Sequence, residues 1–168
     1  MKASAFLSLL LLLLLCFSFQ TISSAVVDEI CSEVEDSYVD KEFCLKTLSS
    51  DPRSKTADAD GLAVISVEIA VAKAAEVKTR IEAQLKGAAD AYEKDRAQAA
   101  RQIFSNVVST FQWSAKSLKS KFRSGPLSLL TVGRNVAVTI DALVDMGELG
   151  TAFNRLGSLA AAIVGHLH

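Results

Sequence analysis

Two cysteines thirteen positions apart, Cys31 and Cys44, limit the folds open to this chain more than any other feature. Between them runs the acidic stretch Ser32-Glu33-Val34-Glu35-Asp36-Ser37-Tyr38-Val39-Asp40-Lys41-Glu42-Phe43. A bond between their sulphurs would clamp this segment as a hairpin. Closing a loop of this size stabilises a fold by roughly 3 kcal/mol, mainly by restricting the unfolded chain. Whether the bond can form depends on the compartment, and the residues ahead of Cys31 bear on that.

Lys2 gives a short positive start, and Phe6 to Phe17 follow as twelve residues, eight of them Leu. Ser23-Ser24-Ala25 then offers the small residues that signal peptidase reads, so residues 1–25 are expected to be a signal peptide cut after Ala25. A membrane anchor would need about 20 apolar residues. Ser18, Gln20, Thr21, Ser23 and Ser24 close the run too early for that. Cys16 leaves with the leader. The mature chain, 143 residues from Val26, keeps two cysteines. An even count in an oxidising compartment points to a disulfide rather than two buried free thiols. No Asn-x-Ser/Thr sequon is present, so N-glycosylation is not expected.

Without Lys2 the charges are 17 Lys and Arg against 19 Asp and Glu, a net of −2 with no electrostatic grip on nucleic acid or anionic lipid. The length suits one domain with one core. Ala, Leu and Val dominate, proline is confined to Pro52 and Pro126, and β-type alternation is missing. That composition predicts an all-α bundle. Val27–Val34 and Asp40–Leu48 read as two short helices, making residues 26–55 an α-hairpin ahead of a bundle over 56–168. Pro52 marks a turn over Ser49–Ser54, and Thr56, Asp58 and Asp60 are candidate caps of a long helix. Its buried stripe is Leu62, Ile65, Ile69, Ala72, Val77, Ile81 and Leu85, and Gly87 is its break. A second long helix runs from Ala88 to about Trp113, with Ala91 or Tyr92, Ala99, Ile103 and Val107 inward. The basic stretch Lys116–Arg123 ends at Ser124-Gly125-Pro126. Leu127–Met146 and Glu148–Leu167 complete the set, the last with Leu149, Phe153, Leu156, Leu159, Ala160 and Ile163 inward.

Nothing in this pattern supplies catalysis. There is no Gly-x-Ser-x-Gly elbow, no glycine-rich phosphate loop and no Cys-x-x-Cys. The only histidines, His166 and His168, point to different sides of a helix and make a poor metal site. Without an internal histidine, a Ser/His or Cys/His nucleophile pair is excluded. No cofactor is expected. Glu33, Glu35 and Asp36 read as a solvated acidic face rather than an acid/base or calcium site. Lys116, Lys119, Lys121 and Arg123 either contact an acidic partner or keep a helix end soluble. Trp113 and Phe111 read as core aromatics rather than exposed anchors. An exported helical chain without catalytic apparatus works through its surface. Carriage of an apolar ligand between Ala- and Val-rich helices is a third, weaker reading.

Several stretches together resemble a known family: Cys31, then Phe43-Cys44-Leu45-Lys46-Thr47-Leu48, Asp51-Pro52-Arg53-Ser54, and Thr56-Ala57-Asp58-Ala59-Asp60-Gly61-Leu62-Ala63-Val64-Ile65-Ser66. In this order they look like the plant invertase and pectin methylesterase inhibitor family, on the branch that includes invertase inhibitors among pollen allergens. The likeness runs from Ile30 to about Leu85. It implies an up-down-up-down four-helix bundle preceded by an α-hairpin. It also implies a secreted inhibitor, in the apoplast, cell wall or vacuole, that covers the active-site cleft of a carbohydrate-active enzyme. The implied partner is an acid invertase, a glycoside hydrolase acting on sucrose, or a pectin methylesterase.

The second half departs from the family pattern. Members usually carry a second cysteine pair tying the second and third bundle helices together. Aligning Tyr92 and Phe122 with the family's aromatics places Ala88 and Leu118 where that pair stands. The Pro-Lys-Phe element linked to invertase contact on that branch is absent. These departures support a different reading, a non-inhibitory secreted bundle that keeps the fold and has lost its contact surface. For an inhibitor, the expected contact residues are Lys73, Glu76 and Arg80 on the first long helix, with Lys116, Lys119 and Lys121 after the second. Opposed carboxylates and bases across such an interface make affinity depend on pH.

Overall fold

A computed structural model describes residues 25–35, 39–141 and 143–167, with side chains at all of these except 137, 138 and 141. The expected leader lies outside the described residues apart from Ala25, as do Asp36 of the acidic cluster and the terminal His168.

The described part of α1 is helical over 25–33. α2 spans Lys41–Ser49 because the Asp40 carboxylate accepts from the Phe43 amide at 2.8 Å and starts the helix. Cys31 and Cys44 are fully buried and bonded, their Cα atoms 5.5 Å apart, inside the separation a disulfide spans. Asp51 then caps a single 3-10 turn, Pro52–Lys55, whose first position suits a residue without an N–H. α3 covers Ala59–Gly87, opened by Asp58 accepting from the Gly61 amide at 2.8 Å. α4 (Ala91–Lys119), α5 (Pro126–Asp141) and α6 (Gly147–His166) follow.

The four long helices pack in a ring, each against its sequence neighbour and α6 against α3. Paired contacts make their directions alternate. Glu68 meets Lys119 across α3 and α4, and Gln84 meets Asp145 ahead of α6. Gly125 lies against Trp113 and Gly133 against Phe111 across α4 and α5, while Gly165 lies against Leu127 across α5 and α6. Phe104, Phe111 and Phe153 fill the middle, both phenylalanines of α4 placing their ring centroids 5.4 Å from Phe153. Every described element is helix or turn, with no strand among them.

Several sequence expectations need correction. First, α4 sits about one residue round from the expected register: Phe104 and Phe111 turn inward, leaving Ile103 37% and Tyr92 69% exposed. The larger aromatic surfaces decide which face is buried. Second, α4 runs on past Trp113, since Ala115 and Leu118 continue its buried face. Lys116 and Lys119 are therefore its last turn, not a separate basic segment. Third, α5 stops at Asp141, short of Met146, where Gln84 donates to the Asp145 carbonyl at 2.8 Å and ties the connection to α3. On α3, Ala72 faces solvent while Ala70 and Ala74 are buried.

The fourth concerns the second cysteine pair. Ala88 and Leu118 flank opposite ends of α4, whose 29 residues extend roughly 43 Å. No disulfide could span that. Ala88 instead shares a cleft of about 360 Å³ with Gln84, Arg96, Leu143 and Asp145. At this end of the bundle the Gln84–Asp145 hydrogen bond links α3 to the α5–α6 connection without a covalent bridge.

Candidate interaction surface

The end of α4 is built by its backbone. The Phe122 N–H donates to the Ser117 carbonyl at 3.0 Å and the Lys121 N–H to the Leu118 carbonyl at 2.9 Å, the paired bonds of a Schellman turn. This turn needs a left-handed residue, and Lys121 takes that role at φ 58°. Glycine is usual there, and a residue with a Cβ is held at a cost of about 1–2 kcal/mol.

Phe122 leaves the turn half exposed and meets Trp113 edge-on, centroids 6.1 Å apart. Gly125 permits this pair, since a Cβ there would come within 2.9 Å of the indole. Leu129 and Val132 are 36% and 60% exposed; four and seven residues beyond Gly125, they continue the same side of the chain along α5. Phe122 and Trp113 thus form an apolar strip where α4 turns into α5, and Leu129 and Val132 are exposed further along α5. Lys116 stands one turn after Trp113 on the same helix face. Lys121 stands beside Phe122. Both lysines are exposed, and neither has an ion pair among the described residues.

The other expected contact residues lie elsewhere. Lys73 pairs with Glu76 at 2.7 Å, and Arg80 is exposed one turn further on. Lys119 pairs with Glu68, which also takes Arg53 at 2.7 Å. Burial works against the Glu68 carboxylate, but Lys119 and Arg53 outweigh it and hold the group below its usual range. Hydrogen bonds from Arg53 hold Asp51 low as well, and Asp51 and Glu68 raise Arg53 in turn. Lys119 is therefore committed to holding α4 against α3. Lys73, Glu76 and Arg80 lie five to twelve residues beyond Glu68, roughly 8–18 Å further along α3. The structure does not bring the two expected groups together.

The strip was missed by the sequence reading, which placed Trp113 with Phe111 in the core. Two residues apart on a helix, they cannot share a face. The spacing of seven between Phe104 and Phe111 was the signal that Phe111 is the buried one.

Around this surface the chain is tied together by α6. Arg155 donates to Asp40 at 2.6 Å and lies 4.0 Å above the Phe43 ring, holding α2. His166 meets Glu33 of α1 at 2.8 Å. Arg123, just after Phe122, donates to Asp60 at 2.6 Å and to the Leu167 carbonyl at 3.4 Å. No helix among the described residues is long and apolar enough to cross a membrane.

A family model of the plant invertase/pectin methylesterase inhibitors matches residues 25–137. A protein of Platanus acerifolia described as a "Putative invertase inhibitor" is 32% identical over 123 residues, covering 72% of this chain and 69% of its own. A Platanus orientalis protein of the same description is 32% identical over 109 residues, covering 64% of each chain.

Proposed function

Because this chain belongs to the plant invertase/pectin methylesterase inhibitor family, we propose that it is an exported protein inhibitor that blocks the active-site cleft of an acid invertase. It acts by contact alone, in the apoplast or cell wall. The observation that carries this reading is the strip at the α4–α5 turn, where Trp113 and Phe122 are exposed beside Lys116 and Lys121. Aromatic residues held in place lose little entropy on docking and dominate interface energies. Glycoside hydrolases work with paired carboxylates in a cleft, a charge that flanking lysines complement. A complex burying roughly 1,600 Å² in total is enough for specificity. Invertase is favoured over pectin methylesterase by what the two Platanus relatives are described as.

The test is an activity assay of both enzymes at acidic pH with recombinant residues 26–168 in the oxidised form. Invertase activity is expected to fall at micromolar inhibitor or below. Inhibition of pectin methylesterase alone would move the assignment to the other branch, and inhibition of neither would contradict it.

A further inference from the structure

The α-hairpin and the docking strip are linked through one histidine. His166, in the last turn of α6, faces Glu33 at the end of α1, Nε2 to Oε2 at 2.8 Å. The next residue, Leu167, offers its carbonyl to Arg123, whose other guanidinium nitrogen holds Asp60 at the start of α3. Arg123 follows Phe122, and Phe122 lies against Trp113. A continuous path therefore runs Glu33, His166, Leu167, Arg123, Phe122, Trp113. The charged groups facing this path are Glu33 from α1, Asp60 from α3 and Arg123 from the α4–α5 turn. From α5, apolar Leu127 packs against Gly165 of the same α6 turn, and Arg155 is engaged with Asp40.

We infer that His166 and Glu33 form an acid-set latch that seats the hairpin on α6 and through it steadies the docking turn. The inference rests on the docking role proposed above for that turn. An imidazolium adds an ion pair to the hydrogen bond it makes with a carboxylate, which a neutral imidazole does not. The latch is tight when His166 is protonated and looser when it is neutral. With the latch tight, the last turn of α6 is fixed and Leu167 presents a steady acceptor to Arg123. With it loose, Arg123 and the Phe122–Trp113 pair gain freedom, and docking must order them. The inhibitor is thereby strongest in an acidic compartment.

Trp113 is the sole tryptophan of the chain, so its emission reports the docking turn in the free protein, with no target enzyme needed. The experiment follows Trp113 fluorescence between pH 4.5 and 8 for the wild type, His166→Gln and Glu33→Gln. Hydrogen exchange of residues 25–33 is read at both pH extremes. The wild type is expected to show one transition in emission and, once exchange is expressed relative to the intrinsic rate at each pH, weaker protection of α1 at high pH. Both variants are expected to lose the transition and to show the weaker protection at both pH extremes. An emission transition that survives in both variants, or none in the wild type, overturns the latch whatever the inhibition assays show. Where the target is inhibited, wild-type affinity should fall about two- to fivefold more than that of His166→Gln over the same range, the scale of a partly exposed ion pair. Equal falls would overturn the link to docking.

Discussion

Lys121 holds a backbone conformation that glycine would adopt freely. Lys121→Gly is therefore expected to stabilise the fold by about 1 kcal/mol, read as a higher urea midpoint at unchanged slope. The same change removes a charge from the docking strip, so inhibition should weaken while stability rises. A purely structural lysine would not separate the two. Gly133 presents the opposite case. Replacing a helical glycine with alanine ordinarily gains up to about 1 kcal/mol. A Cβ at 133, however, would stand 2.6 Å from the Phe111 ring, which Phe153 backs. Overpacking of that kind costs about 1–3 kcal/mol, and Gly133→Ala should lower the thermal midpoint.

At the scale of elements, the hairpin depends on its covalent link. Converting both Cys31 and Cys44 to serine should reduce stability by roughly 3 kcal/mol, measured by chemical unfolding, and should speed hydrogen exchange in α1 and α2 most. Much of the element order was legible because its signals are local. Asp58 caps α3 where the sequence puts a candidate cap, and Pro52 sits where the chain turns. Phe153, Leu159, Ala160 and Ile163 of α6 are buried as their spacing predicts. The register of α4 was harder to read, because alanines lie on all its sides and the choice falls to Phe104 and Phe111, whose partner Phe153 is distant in sequence. The connection after α5 was hidden for a similar reason, since its tie to Gln84 of α3 spans residues distant in sequence. The apolar strip escaped too, because exposure of Trp113 follows only from that register.

In the whole molecule, Glu68 joins the hairpin–bundle turn, α3 and α4 through Arg53 and Lys119. Its carboxylate is held below its usual range in the folded protein. The unfolded chain then binds its proton more readily, so the contribution is present above the unfolded carboxylate value near 4.3 and is lost as pH falls through the folded one. Glu68→Gln should cost about 1 kcal/mol at pH 6, on the scale of a partly exposed pair. That deficit against the wild type should shrink as both are titrated towards pH 3, followed by thermal midpoints. A deficit equal at both pH values would assign the loss to packing. The bundle otherwise resembles a rigid support, closed at one end by Gln84 and Asp145 and presenting its aromatic strip at the other.

The central claim is that this strip is where a target enzyme is held. Isothermal calorimetry of invertase binding, comparing the wild type with Trp113→Ala and Lys116→Glu at matched helical content, tests it most directly. Loss of a central aromatic anchor should weaken binding by at least about 2 kcal/mol, some 30-fold, with a smaller loss for Lys116→Glu. Affinities unchanged in both variants, with invertase still inhibited, would place the contact surface elsewhere on the molecule.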